Sequence, residues 1–291
     1  MEGEFGIMRG NQVEMTKKVS FKSLDHGNTG RIHGVVNSVC ELIPCPNHFL
    51  CQVRGLALFH IMGGTCTRSC NICKTPQREL LPLNPEEPQN VASEVNRRQL
   101  KHVVLTSFCR DDLVDGGAAH IARSVSLIHE INPDTTVEVF VHSCPNNNEA
   151  VDTIVDSSPE IITHSVMTVP RLNPQLFEKA NYTVSLDFLG KVKSRNPDIV
   201  TKSGIMLGLG ENEYEVIGVL EDLHDAGCNC ITLGQYLPLS AKHFQPTRSV
   251  SLQEFYEYHR LSIQMGYNSV RSGPSVCSSF DAVEMYKEIA E

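Results

Sequence analysis

Residues 56–73 read LALFHIMGGTCTRSCNIC, and this stretch decides the fold. A short apolar run, with a strand expected over 57–62, passes through Gly63-Gly64 into Cys66-x3-Cys70-x2-Cys73. Structural zinc sites usually draw four ligands from paired cysteines, a pattern that three thiols on one loop match poorly. Iron–sulfur cubes also take soft thiolates, normally four of them. Three thiolates leave one iron of a cube open to a small chelating ligand, so this spacing points to a reactive centre. Directly after a strand, the cysteines fall at the carboxyl end of a sheet, where α/β barrels gather their chemistry.

Upstream lies another triplet, the first in chain order, Cys40-x4-Cys45-x5-Cys51, in NSVCELIPCPNHFLCQ. Six of the 11 cysteines thus fall within 34 residues, and an odd total rules out complete internal pairing. On the residues alone three readings stay open for either triplet. The thiols are ligands of a cluster, or they belong to a zinc site completed by His33, His48 or His60, or they are core cysteines.

Composition narrows the class further. Of 291 residues 41% are apolar and 20% charged, as in ordinary globular proteins, which excludes a disordered or fibrous chain. No run approaches the roughly 18 apolar residues of a membrane helix. The opening MEGEFGIMRGNQVEMTKK lacks the apolar centre of a signal peptide and the acid-poor character of a transit peptide. A net charge of -9 opposes a sequence-independent grip on nucleic acid. These features predict a cytoplasmic protein with neither a membrane nor a nucleic-acid partner.

From residue 56 onward, short apolar runs alternate with longer amphipathic segments, the rhythm of a parallel α/β sheet. Strands are expected at 57–62, 102–107, 136–142, 161–167, 204–209 and 229–234, and helices at 90–100, 118–131, 149–156, 185–195 and 213–226. In the last helix Val216, Val219, Leu220 and Leu223 share one face, with Glu221, Asp222 and Asp225 opposite. The stretch 76–88 reads as a connecting loop, and 1–31 as an arm with little regular structure. Cys228 and Cys230 read as core residues; Cys109 and Cys144 read as packing residues near strand ends. Six βα units are too few for a closed eight-stranded barrel.

The motifs together resemble a known family. GGTCTRSCNIC is similar to the cluster loop of radical S-adenosylmethionine enzymes, and the first triplet resembles the auxiliary-cluster motif of lipoyl synthases. CRDDLVDGGAAHIA (109–122), THSVMTVPRL (163–172), TKSGIMLGLGE (201–211), TLGQYL (232–237) and SGPSVCSSFDA (272–282) also resemble blocks of that family, in its order. The likeness runs from about residue 39 to 282. It implies a partial (β/α)6 TIM-like barrel over 56–265, an N-terminal extension over 1–55 carrying the auxiliary motif, and a C-terminal segment over 266–291 closing the auxiliary cluster.

The resemblance also implies a chemistry. Cys66, Cys70 and Cys73 would bind a [4Fe–4S] cluster whose open iron chelates S-adenosyl-L-methionine. One electron, from a donor such as flavodoxin or ferredoxin, would cleave the sulfonium to methionine and a 5′-deoxyadenosyl radical. That radical takes hydrogen from an unactivated carbon, which no side-chain acid or base can do; the protein supplies position and exclusion. Gly116-Gly117 resembles the glycine pair at the cofactor's methionine end, where a bare backbone permits close approach. Gly204, with Gly208 and Gly210, resembles the strand beneath the adenine, and Lys202 precedes it, facing the cofactor. GLGE taken alone reads equally as a strand-to-helix turn.

A second [4Fe–4S] cluster, held by Cys40, Cys45 and Cys51, would take its fourth ligand from the C-terminal segment and supply the inserted sulfur. Aligning the family's Arg-Ser-Ser-Tyr motif on residues 277–280 puts Ser279 at the ligand position, with Ser278 next to it as an alternative. The substrate implied is an octanoylated lipoyl domain of a 2-oxoacid dehydrogenase or of the glycine cleavage carrier protein. The chain departs from the family pattern at Cys277, which replaces arginine, at Phe280, which replaces tyrosine, and at Ser165 and Met167, where Asn and Glu are usual. Cys277 offers a soft alternative to Ser279. Two other readings follow from these departures: a relative inserting sulfur elsewhere, and an idle homologue keeping its clusters for sensing or binding.

Overall fold

The computed structural model describes residues 5–9 and 12–16, by backbone, and then 39, 45–73, 79–143, 147–238 and 240–290. Within the arm expected to be irregular, β1 (Phe5–Arg9) and β2 (Gln12–Thr16) form an antiparallel hairpin, with Phe5 opposite Thr16 and Arg9 opposite Gln12. In the sequence Gly10-Asn11 separates the two strands, a pair common between hairpin strands. A short helix, α1 (His48–Val53), then leads into the sheet.

Seven parallel strands follow in sequential order: β3 (Leu56–Ile61), β4 (His102–Ser107), β5 (Thr136–Phe140), β6 (Ile161–Thr163), β7 (Val200–Leu207), β8 (Cys230–Gln235) and β9 (Ser269–Gly273). Each crossover carries helix, as parallel pairing requires. These are α2 (Glu87–Arg98), α3 (Ala118–Ile131), α4 (Asn148–Asp156), α5 (Asn173–Leu176) with α6 (Tyr182–Arg195), α7 (Glu213–Asp225) and α8 (Leu252–Met265). A last helix, α9 (Ala282–Ala290), follows β9. β3 and β9 are the two edges, so the barrel is open, and β1 lies against β9.

The sequence predicts six strands; β9 is the seventh. Its sequence, SVRSG, has one apolar residue, yet every position is buried. The polar side chains are matched rather than solvated. Arg271 Nε donates to Asp281 Oδ2 at 2.7 Å and Nη2 to Glu288 Oε1 at 2.7 Å. β7 starts at Val200 instead of 204 for the same reason, with Thr201, Lys202 and Ser203 all buried. β6 is shorter than expected, and Met167 rejoins β7 as an isolated bridge to Ile205.

Alternation along the strands builds two cores. Phe59, Val103, Val139, Ile162, Leu207 and Leu233 face the helices, where Val125, Leu189 and Leu220 meet them. Each such side chain contributes about 1.5–3 kcal/mol by leaving water. In α7, Val216, Val219, Leu220 and Leu223 are buried and Glu221, Asp222 and Asp225 exposed, as expected, and the Asn212–Glu215 capping box starts the helix. At the amino ends of the strands α9 closes the barrel. Met285 packs on Ile161, Val200 and Cys230, while Ala282 and Val283 pack on Leu56 and Val104. The carboxyl ends are left for chemistry. Among the described residues no helix is long and apolar enough to cross a membrane.

Candidate active site

The second cysteine triplet hangs from the end of β3. Met62 and Gly63 take positive φ (67° and 84°), turning the chain out of the sheet. Glu87 Oε2 accepts Met62 N–H at 2.7 Å and pairs with His120 Nε2 at 2.8 Å, fixing this exit to α2 and α3. Cys66 is buried, Cys70 half-buried and Cys73 exposed. Cys66 Sγ accepts Arg68 N–H at 3.4 Å, and Cys70 Sγ accepts Glu178 N–H at 3.3 Å. Donors aimed at sulfur favour the thiolate, the form that binds metal.

The block after β4 fastens this loop. Thr67 N–H and Oγ1 both donate to Cys109 O, at 3.0 and 2.9 Å. Arg68 grips Asp111 with two bonds of 2.9 and 2.7 Å and reaches Ser143 Oγ at 2.7 Å. Arg68 holds the Asp111 carboxyl well below the usual carboxylate range. Arg110 donates to Met62 O at 2.8 Å and Leu81 O at 3.1 Å, with Asp112 held on its other edge. Cys109, expected to be a packing residue, has its thiol against Cys66. Cys109 donates, which lowers the Cys66 thiol and raises its own. Cys144 lies outside the described residues.

The expected glycines differ in kind. Gly116 and Gly117 both take positive φ (62° and 90°) and deliver the chain to α3, where Asp115 caps Gly117 N–H and Ala119 N–H at 2.9 Å each. A Cβ on Gly117 would meet Met62 Sδ at 2.1 Å, whereas beside Gly116 the space is open. Gly204 sits where four segments meet. A Cβ there would lie 2.7 Å from Thr232 Oγ1, 3.0 Å from Ser165 Oγ and 3.2 Å from Ser278 Oγ. Gly208 and Gly210, by contrast, belong to a turn in which Glu211 accepts Gly208 N–H and Leu209 N–H at 2.6 and 2.8 Å, while Thr247 N–H donates to Gly208 O at 2.8 Å and Arg171 Nη2 to Gly210 O at 2.9 Å.

Lys202 does not point into open space. Its Nζ donates to Glu138 Oε2 at 2.6 Å in a fully buried layer that Thr163 Oγ1 completes at 2.7 Å on Oε1. This pair forms a floor beneath Gly204. Above it the lumen holds residues that sequence reasoning missed. Because Phe59 and Ile61 face the helices, His60 faces inward, as does Thr106, whose Oγ1 lies 2.9 Å from His142 Nε2. Burial and mutual repulsion hold His142 down to about 3, and burial holds His60 to about 4, so both rings are neutral near pH 7. Alternation in LFHIM was the available signal for His60.

The stretch that carries Cys45 and Cys51 packs against a segment from the far end of the chain. Cys45 and Cys51 flank Asn47, whose buried Nδ2 donates to Ser275 O at 2.7 Å. Leu50 packs on Val276 and Phe280, Arg54 pairs with Asp281, and Val276 O fills the space a Cβ on Gly234 would need. Cys277 thereby comes within electrostatic reach of both Cys45 and Cys51; burial first, and then these neighbours, push the Cys51 thiol up to about 12. Cys277 Sγ is 3.7 Å from Ser279 Oγ, and Ser278 Oγ is 3.4 Å from Ser165 Oγ. Cys40 lies outside the described residues, as does His33.

Among the described residues no three His, Cys, Asp or Glu gather tightly enough for a single metal ion. A cube needs no such convergence, since each thiolate binds its own iron. Three soft sulfurs on one loop, two of them already accepting backbone N–H, are the donor set that an iron–sulfur cluster takes.

Comparison with known proteins agrees with this geometry. Residues 60–235 match the Radical SAM superfamily. The chain is 44% identical over 256 residues to lipoyl synthase of Alkaliphilus metalliredigens, covering 88% of each chain. It is 45% identical over 247 residues to lipoyl synthase of Caldanaerobacter subterraneus subsp. tengcongensis, covering 85% of this chain and 87% of that one. In fold it is similar to methylornithine synthase, with a TM-score of 0.58 at 13% identity over 81% of this chain and 75% of the other. The open barrel, the three-thiol loop and these relatives converge: the chain belongs to the lipoyl synthases, radical SAM enzymes that make the lipoyl cofactor with S-adenosyl-L-methionine and [4Fe–4S] clusters.

Proposed function

We propose that this chain inserts two sulfur atoms into the octanoyl chain on a lipoyl-domain lysine, using the carboxyl face of its barrel. The carrier is a 2-oxoacid dehydrogenase lipoyl domain or the glycine cleavage carrier protein, and a flavodoxin or ferredoxin supplies electrons. Cys66, Cys70 and Cys73 hold the first cluster. Gly116 and Gly117 present side-chain-free backbone to the cofactor's methionine end, and Gly204 does the same from β7. Lys202 acts from below, holding β7 to β5 through Glu138. Cys40, Cys45 and Cys51 hold the auxiliary cluster, with the 277–279 turn, and Ser279 as the expected ligand, beside it.

When bound, the cofactor and clusters supply a carbon radical for hydrogen abstraction and sulfur for insertion. Residues 1–55 and 266–291 carry the auxiliary site, around a barrel of 56–265, with the last segment entering the sheet through β9. A net charge of -9 fits work in the cytoplasm away from membranes and nucleic acid.

One observation carries the reading. The 277–279 turn touches both halves of the site, with Ser278 at Ser165 and Gly204 and Cys277 near Cys45 and Cys51. Anaerobic turnover of an octanoylated lipoyl-domain peptide, followed by mass spectrometry, tests it. The expected result is a peptide that gains two sulfurs while 5′-deoxyadenosine accumulates. Cofactor cleavage without added sulfur would refute the substrate assignment.

A further inference from the structure

The C-terminal turn carries two different candidate ligands, Cys277 and Ser279, and they are not chemically equivalent. Asn47 and the Leu50–Val276–Phe280 packing hold the 275–280 segment against the stretch that carries Cys45 and Cys51. A backbone bond from Phe280 N–H to Cys277 O at 2.9 Å folds residues 277–280 into a tight turn. This geometry brings a third thiol, Cys277, into the neighbourhood of the other two. Residue 277 is exposed, whereas Cys51 is buried.

Iron–sulfur centres are normally held by thiolates, and soft sulfur outcompetes a hydroxyl for them. We propose that Cys277, rather than Ser279, is the C-terminal protein ligand of the cluster held by Cys45 and Cys51. On binding, the thiol gives its proton to solvent and its sulfur to iron. Ser279, with Oγ 3.7 Å from Cys277 Sγ, then donates its hydroxyl hydrogen to that sulfur, an outer contact of the kind that orients a ligand and tunes its metal. An all-thiolate cluster would hold its iron more firmly than one closed by an alkoxide. The assignment rests on the reading above that the first triplet holds an iron–sulfur cluster.

The test uses the full chain with Cys66, Cys70 and Cys73 changed to Ala, so that only the auxiliary cluster can form. It is loaded anaerobically with ferrous iron and sulfide, and far-ultraviolet circular dichroism checks the fold. Iron content, Mössbauer spectra and the rate of iron loss to a chelator are then read. In this background Cys277→Ala should lose one iron of the cube and release the rest faster. Cys277→Ser should recover part of that loss, and Ser279→Ala should keep every iron while shifting the spectrum. If Ser279→Ala loses the iron and Cys277→Ala changes neither content nor spectrum, the proposal is overturned. A folded background protein that takes up no cluster while Cys277 is intact would instead refute the underlying auxiliary-cluster reading, and the ligand assignment with it.

Discussion

The two cysteine centres are built in opposite ways. The loop after β3 packs three thiols into eight residues of one strand exit, and its own Arg68, bound to Asp111, together with Arg110 and Glu87 fastens it to neighbouring barrel segments. The other centre joins residues 45–51 to residues 275–280, over two hundred positions away, through a buried hydrogen bond from the Asn47 amide and a few apolar contacts. The first is thus a local geometry that the barrel supports. The second exists only when both chain ends have docked. Cluster loss should therefore be separable between them.

The largest expected contrast is chemical. Cys70→Ala should reduce 5′-deoxyadenosine formation under reduction to background, whereas Cys51→Ala should leave it in place and stop sulfur transfer. Product analysis of both variants on an octanoylated peptide decides the matter; equal loss of 5′-deoxyadenosine would erase the distinction between the centres. Next in size is the fastening of the loop. Arg68→Met breaks both bonds to Asp111, and outer contacts of this kind are worth about 10–100-fold in metal affinity or activity. Competition with a chelator should show faster iron loss from the first cluster alone.

The same contrast explains what could be read in the sequence. Cys66-x3-Cys70-x2-Cys73 is legible because ligand spacing on one loop survives translation into space without help from distant residues. Most strands were legible because their apolar side chains face the helices. β9 and the start of β7 were not, since Ser269, Arg271 and Lys202 look solvated until their partners Asp281, Glu288 and Glu138 are brought to them. α8 escaped notice even though Ser251 and Glu254 form a capping box at its start. At the site, the glycines of SGIMLGLGE looked alike, but only Gly204 borders the lumen while Gly208 and Gly210 shape a turn. The role of Arg68 and Asp111 depended on two loops meeting, which no local pattern announces.

A smaller effect should separate the docking of the chain ends from the barrel itself. Asn47→Ala leaves Ser275 O buried without its donor, which costs about 1–3 kcal/mol. Urea unfolding of the cluster-free chain should register that loss. In the loaded enzyme iron should leave the auxiliary cluster first, with 5′-deoxyadenosine formation kept. Equal weakening of both clusters would mean that the two regions are one cooperative unit.

A final contrast concerns the floor that both regions share. Burial alone would raise the Glu138 carboxyl, but the Lys202 ammonium and His102 overcome it and hold the group at about 2, below its ordinary 4.5. A carboxylate depressed in the folded state stabilises fully above its unfolded pKa and loses that contribution as pH falls through the folded one. The urea midpoint of the cluster-free chain should therefore be insensitive to this pair between about pH 7 and 5, and should fall between about pH 4.5 and 2. A Glu138→Gln, Lys202→Met double variant removes both charges together and should flatten that acid limb. Changing Lys202 alone leaves a buried carboxylate unpaired and should destabilise by about 3–5 kcal/mol at neutral pH. If Lys202→Met instead left stability unchanged and weakened only S-adenosyl-L-methionine binding, the lysine would be a cofactor ligand rather than part of the floor.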